Sequence, residues 1–403
     1  MITKKRIYYN GMLFCFNIEM FLGIIADTYY IFAEKELFVN RLSSLIVLAS
    51  VLCSIFLLFY GENSQISSKG LGFSIFVLAL CLTSFVFVSG IEVIYLKAFY
   101  YTIRQVIIPV LMISKINDPE YLEKVSIPYI GFSAIYAIVQ MIYFSKTNIY
   151  SMSFSYTIIP YAILALSIGV GNKSKKYLIS FCFLFICNLI CGSRGSILCC
   201  VVAALMLLLI NNSLEGLLKK ILAILGMCIA GIPFYDYLIN VLLEIFPTAR
   251  SLKLLASGNF MYLSGRGDYY RAVVSELIHE PLMIRGLYSD RIFLAEYFNR
   301  VTSKEVFGSY AHNFILEILF QFGCIAGSIL LIIFILQSLY AYSIIKRRNN
   351  SNALKNIYIV YTSYFVGKLL ISGSYLTEFS FGAYVGILLL VIKSAKRIHL
   401  CDH

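Results

Sequence analysis

An all-α polytopic membrane protein is the fold class that this sequence predicts, and three observations predict it. The first is composition: of 403 residues, 60% are hydrophobic and only 13% charged, with a mean hydropathy of +0.83. A soluble chain is about 45–50% apolar and roughly 25% charged. Too few charges remain to cover a soluble surface, and the same numbers exclude disorder, a coiled coil and a secreted disulfide scaffold. The second is length: at about 20 apolar residues per span, the apolar share supplies about twelve spans. The third is that lysines and arginines gather in alternate loops.

The apolar runs lie at 8–31, 42–60, 70–90, 93–114, 125–144, 152–170, 177–192, 194–211, 218–241, 312–343, 354–372 and 378–393. The first follows Lys4, Lys5 and Arg6, but it lacks a small-residue cleavage site and carries Glu19 and Asp27, so it reads as a retained span. Lys97 and Arg104, seven apart, share a face of the fourth, and Lys368 is a third cation at membrane depth. The seventh and eighth runs are separated only by Ser193-Arg194-Gly195, a break in an apolar stretch too long for one span. The expected organisation is a single integral membrane domain over 1–403. One large extracytoplasmic loop, 242–311, joins predicted helices 9 and 10.

Charge sets the orientation. One set of alternate loops and both termini hold 18 lysines and arginines, and the short loops opposite hold 4. Basic residues stay on the cytoplasmic side, so both termini are expected inside and 242–311 outside. The formal charge of +12 is therefore topological. Nucleic acid is not an expected partner, because the cations sit in short clusters between apolar runs.

The long loop breaks the pattern. It holds Arg250, Lys253, Arg266, Arg271, Arg285, Arg291, Arg300 and Lys304 where topology requires no positive charge. Long loops in compact proteins commonly carry function. Tyr269, Tyr270, Val273, Val274, Leu277 and Ile278 recur at helical spacing, with Asp268 as a plausible N-cap and Pro281 as the stop. That pattern predicts a short amphipathic helix lying on the outer membrane face or over a cavity. Arg266 precedes its N-terminus, where free N–H groups already favour an anion. Lipid headgroup binding is the alternative account of these arginines.

Polar groups at membrane depth are costly and point to function. Asn313, Glu317 and Gln321 fall at i, i+4 and i+8 on one face of the run that begins at His312. His312 stands where the loop returns to the membrane, as a catalytic or a structural imidazole. Ten of the eleven cysteines lie in apolar stretches, so no disulfide framework is indicated. No phosphate-binding lysine loop, HExxH or paired CxxC pattern occurs, and no metal or other cofactor is expected. The chemistry suggested is metal-free handling of an anion, to which the guanidinium fork is suited.

Three segments resemble the O-antigen/capsule polymerase and ligase superfamily (Wzy and O-antigen ligase types). They are Cys191-Gly192-Ser193-Arg194-Gly195-Ser196, then Ser264-Gly265-Arg266 with the Tyr-rich helix and Glu280-Pro281-Leu282-Met283-Ile284-Arg285-Gly286, and finally Ala311-His312-Asn313-Phe314-Ile315-Leu316 with Gly323 and Gly327. Together they span roughly 190–330. Tyr270 stands where many relatives have Trp, and Arg285 where they often have Gly.

The resemblance to a Wzy-type polymerase implies a membrane glycosyltransferase. It would join polyprenyl-diphosphate-linked oligosaccharide units at the outer face of the bacterial cytoplasmic membrane, for O-antigen, capsule or exopolysaccharide synthesis. A flippase and a chain-length regulator would be its partners beside membrane lipid. A ligase moving glycan to lipid A core or another acceptor is the nearest alternative; a lipid-linked oligosaccharide transporter and an assembly scaffold are more distant ones. The residues expected to act are His312 and Glu317 in catalysis, and Arg194, Arg266, Arg271, Arg285 and Asn313 in substrate binding.

Overall fold

The computed structural model describes residues 2–33, 39–60, 67–87, 92–211, 216, 237, 239–258, 266–300, 302–347 and 351–399. Most of the predicted span 218–241, and Ser264-Gly265 of the loop motif, lie outside the described residues. Among the described residues the regular structure is helical throughout.

In chain order the helices are α1 (Ile2–Phe16), α2 (Ile18–Ala33), α3 (Val39–Tyr60), α4 (Ser68–Phe87), α5 (Glu92–Thr102), α6 (Ile108–Ser114), α7 (Pro119–Thr147), α8 (Met152–Gly171), α9 (Lys175–Cys191) and α10 (Arg194–Asn211). The series continues with α11 (Arg250–Ala256), α12 (Arg266–His279), α13 (Ser289–Tyr297), α14 (Ser303–Gly308), α15 (Phe314–Arg347), α16 (Asn352–Leu369) and α17 (Phe379–His399). Six of the described helices are long and apolar enough to cross a membrane, or seven if the pair α1 and α2 is one broken span. An all-helical membrane protein follows, and the expected twelve spans exceed what these helices supply.

The chain forms two compact units. The first contains residues 1–62, 118–262 and 350–367. In it α7 packs on α2, α8 and α9, while α10 lies on α8 and α11 on α9. The predicted first span is not straight: α1 and α2 meet at Asn17 with a bend of 51°. The Asn17 side chain donates to Leu13 O at 2.7 Å, satisfying a carbonyl at the break. At the start of α7, Asp118 accepts the Tyr121 N–H at 2.9 Å and pairs with Lys5, so one carboxylate caps a helix and ties it to α1.

The second unit contains residues 63–117, 263–349 and 368–403. Here α17 packs along α6 and the π-helical turn Ile103–Ile107 that follows α5. Gly382 permits the approach, since a Cβ there would stand 2.5 Å from Gln105 O. Arg104 lies within that π turn, and Lys97, on α5, lies over the Phe307 ring at 4.5 Å.

The predicted span 312–343 needs a larger correction. Within α15, Gly323 has φ 73° and ψ 164°, a conformation open to glycine and far from helical. Phe314 and Phe334 then meet with ring centroids 6.2 Å apart, although a straight helix would separate residues twenty positions apart by about 30 Å. The run is thus a helical hairpin. A limb of about 13 Å (residues 314–322), too short to span, turns back on one of about 36 Å (residues 324–347) that is long enough.

Candidate functional site

The short limb of α15 carries the polar residues read from the sequence, and the hairpin decides what they meet. Asn313 caps it: Oδ1 accepts the N–H groups of Ile315 at 3.0 Å and Leu316 at 3.2 Å, and Nδ2 donates to Leu370 O at 3.2 Å. Glu317 and Gln321 point into the interior and are fully buried. Glu317 accepts from Ser374 Oγ at 2.5 Å and from the Tyr375 N–H at 3.2 Å. Gln321 Nε2 donates to Asp290 Oδ1 at 2.8 Å, while its Oε1 accepts from the Tyr375 hydroxyl at 2.6 Å. The predicted stripe therefore splits, with Asn313 ending a helix and the other two building a buried network.

Asp290 and Arg291, at the start of α13, complete that network with no side-chain exposure. Burial pushes the Asp290 carboxyl above the usual range, opposed by the Arg291 guanidinium beside it. Arg291 donates to Phe307 O and, at 3.3 Å, to Thr377 Oγ1. Its plane lies over the rings of Phe307 at 4.6 Å and Tyr310 at 4.8 Å. Asp290 also accepts the Ala311 N–H at 3.2 Å. This bond holds the residue before His312, whose own φ of 53° is left-handed.

His312 is thereby presented from a fixed turn. Its ring lies 4.0 Å from that of Tyr310 and 5.6 Å from that of Tyr269, centroid to centroid. Nδ1 is 3.5 Å from Ser372 O. A carbonyl can only accept, so the neutral tautomer that uses this contact carries its proton on Nδ1 and leaves the Nε2 lone pair available. Burial pushes the imidazole down to about 4, aided by the fields of Arg266, Arg291 and Arg300.

Arg266 opens α12 and reaches the same edge, donating to Ile371 O at 2.6 Å and to Ser372 Oγ at 3.5 Å. Tyr270 donates to His312 O at 3.4 Å, and Arg300 lies 5.2 Å over Tyr269. Arg266, His312, Tyr269, Tyr270, Tyr310, Arg300 and the 371–372 backbone thus form one cationic, aromatic-lined cluster around a neutral imidazole.

The other arginines named from the sequence sit differently. Arg285 donates from Nη2 to Glu276 at 3.2 Å and to Glu280 at 3.3 Å, with its guanidinium 4.7 Å over Phe320. Arg271 pairs with Asp268 on the outside of α12, its side chain 82% exposed. Arg194 belongs to the first unit, at the start of α10. The turn before it is held by Ser155 Oγ, which accepts the Ser193 N–H at 2.6 Å, and by Ser251 Oγ, which donates to Gly192 O at 3.0 Å.

Known proteins bear on these segments. Residues 179–351 match the family model described as O-antigen ligase. That match covers the Ser-Arg-Gly turn, the arginine-rich loop and the His312 return, and it supports a place in the O-antigen polymerase/ligase superfamily. It indicates a polysaccharide-related membrane enzyme and does not separate polymerase from ligase. No curated protein and no solved structure matches the chain.

Sequence reasoning named Arg291 and Arg300 only among the cations of the long loop, and it overlooked Asp290 and Ser372. An adjacent acid–base pair in a loop was a visible signal for Asp290 and Arg291. Ser372 offers none, because only the fold carries it back sixty positions to His312.

Proposed function

We propose that this protein polymerises oligosaccharide repeat units carried on polyprenyl diphosphate, at the outer face of the bacterial cytoplasmic membrane. The observation that carries the reading is the meeting of Arg266 and His312 on the 371–372 backbone, where a guanidinium and a neutral imidazole share one edge. The family match to residues 179–351 supports it.

In this reading the diphosphate of the donor lies against Arg266, with Arg300 adding field from behind. The acceptor hydroxyl of the incoming lipid-linked unit faces His312 Nε2. A bond forms from that oxygen to the anomeric carbon as the bond from the anomeric carbon to the diphosphate oxygen breaks, with inversion. Nε2 takes the hydroxyl proton, and the charge left on the diphosphate is held by guanidinium. The bound anion offsets the arginine field that depresses His312, so the imidazole becomes a stronger base only when the donor is in place. Glu317 supports the 374–375 backbone in this scheme and holds the turn beside the base. The two termini lie in the cytoplasm, and a flippase and a chain-length regulator act beside the enzyme.

The second reading is a ligase, favoured by the description of the matched family. The test is purified protein in vesicles with lipid-linked repeat units as both donor and acceptor. Ladders of increasing glycan length support polymerisation. Transfer only to an added lipid A core or other acceptor supports the ligase, and turnover of neither overturns both.

A further inference from the structure

One surface of the second unit is unused by this chemistry. At the end of α12 and in the turn that follows, Ile278, Leu282, Met283 and Ile284 are 76%, 65%, 50% and 67% exposed. Four large aliphatic side chains within seven residues form an apolar tip of the kind that soluble surfaces avoid. The tip is not loose. The Cys324 N–H donates to Pro281 O at 2.7 Å, and the N–H groups of Arg285 and Gly286 both donate to Gln321 O, at 3.0 and 2.9 Å. A Cβ on Gly323 would lie 3.0 Å from Leu282 O. The turn is therefore bonded into the break of the α15 hairpin, at the level where the membrane-length limb begins.

That limb identifies what covers the tip. Ile325, Ile329, Ile332, Ile333 and Leu336 recur on one face of it and are all more than half exposed. On a membrane-crossing helix such a face meets acyl chains. The tip is joined to the start of this limb by the bond from the Cys324 N–H to Pro281 O. Behind the tip, Glu276 and Glu280 both engage Arg285, so that cation is paired. An aliphatic tip with paired charges behind it fits hydrocarbon, whereas protein contacts favour aromatic, arginine-bearing patches with a polar rim.

We propose that residues 278–284 are a membrane-inserted wedge, entering the boundary between headgroups and acyl chains beside the α15 hairpin and fixing the loop to the bilayer surface. The inference stands apart from the proposed reaction and holds for a polymerase, a ligase or neither.

The chain has no tryptophan, which makes the test direct. Met283→Trp and, separately, Leu282→Trp are made in the full chain and reconstituted in phosphatidylcholine vesicles with or without brominated acyl chains. Tyr297→Trp, on the exposed side of α13, is the aqueous reference. The expected result is blue-shifted emission from both tip variants, quenched at least twofold by brominated lipid and little by iodide, with the reverse at position 297. Two results would overturn the proposal. One is iodide quenching at the tip equal to that at 297 with no effect of bromine. The other is shielding from both quenchers, which would mean that a second copy or another protein covers the tip.

Discussion

Phe314 and Phe334 belong to one continuous apolar run of the sequence, and their rings meet at a centroid separation of 6.2 Å. Only reversal at Gly323 allows this. The reversal makes Gln321 O available to the Arg285 and Gly286 N–H groups, and it sets Glu317 and Gln321 on a short limb where loop residues can surround them. Broken helices of this kind place irregular backbone and polar side chains at membrane depth, where a site can be built.

The hairpin can be measured. With cysteines only at 314 and 334, a bifunctional reagent of about 8 Å reach should cross-link them within one chain; a straight helix would hold them about 30 Å apart. Gly323→Ala should lower stability by about 1–3 kcal/mol, since alanine resists this backbone conformation, read as a lower midpoint of thermal unfolding in detergent.

The reaction should be insensitive to the pH at which histidine ordinarily titrates. His312 is held down to about 4, and a base works unprotonated, so lowering its pKa extends activity toward acid. The rate at low donor concentration should stay level from pH 8 to about 5 and fall with a midpoint near 4. A midpoint near 6.5 would show that the group governing the rate is an undepressed imidazole and would overturn the arginine-field account of His312. His312→Ala should cost about 10²–10⁴-fold in glycan transfer with normal membrane abundance.

Among the arginines, Arg266 should be the least replaceable. Lysine keeps the charge but loses the two-pronged fork, so Arg266→Lys should reduce transfer about tenfold or more. Arg271→Ala, which removes an exposed i,i+3 pair, should change stability by less than about 0.5 kcal/mol and leave transfer close to normal. Near-normal transfer with Arg266→Lys would show that positive charge alone is what matters there.

Glu317→Ala leaves Ser374 Oγ and the Tyr375 N–H without their buried acceptor. Its cost should be about 2–4 kcal/mol, seen as early unfolding and low abundance. Glu317→Gln retains an acceptor oxygen and should recover most of the stability and most of the transfer per folded molecule. A folded Glu317→Gln protein without activity would return Glu317 to a catalytic role.

Orientation is open to labelling. In a cysteine-free background, Tyr297→Cys should react with an impermeant maleimide from the outer face of intact cells. Reaction only after the cytoplasmic side is opened would reverse the proposed topology.

What the sequence determined by itself is whatever local composition controls. Apolar runs of membrane length announce helices because a bilayer demands internal hydrogen bonding. The tyrosine-rich spacing announced α12, although the helix already includes Arg266 and holds Asp268 in its first turn instead of at its N-cap. The position of His312 was also legible, since it stands directly before the apolar run that becomes α15. Tertiary structure alone decided the rest. Periodicity assumes a straight helix, so the i, i+4, i+8 spacing of Asn313, Glu317 and Gln321 implied one shared face. The cap at Asn313 and the break at Gly323 instead gave them different partners. A guanidinium likewise reads the same in any loop of a sequence. Arg285 met two carboxylates and Arg271 met only its helix neighbour Asp268 on an exposed face, while Arg266 met the backbone beside His312, because long-range folding chooses which opposing groups arrive within hydrogen-bond reach.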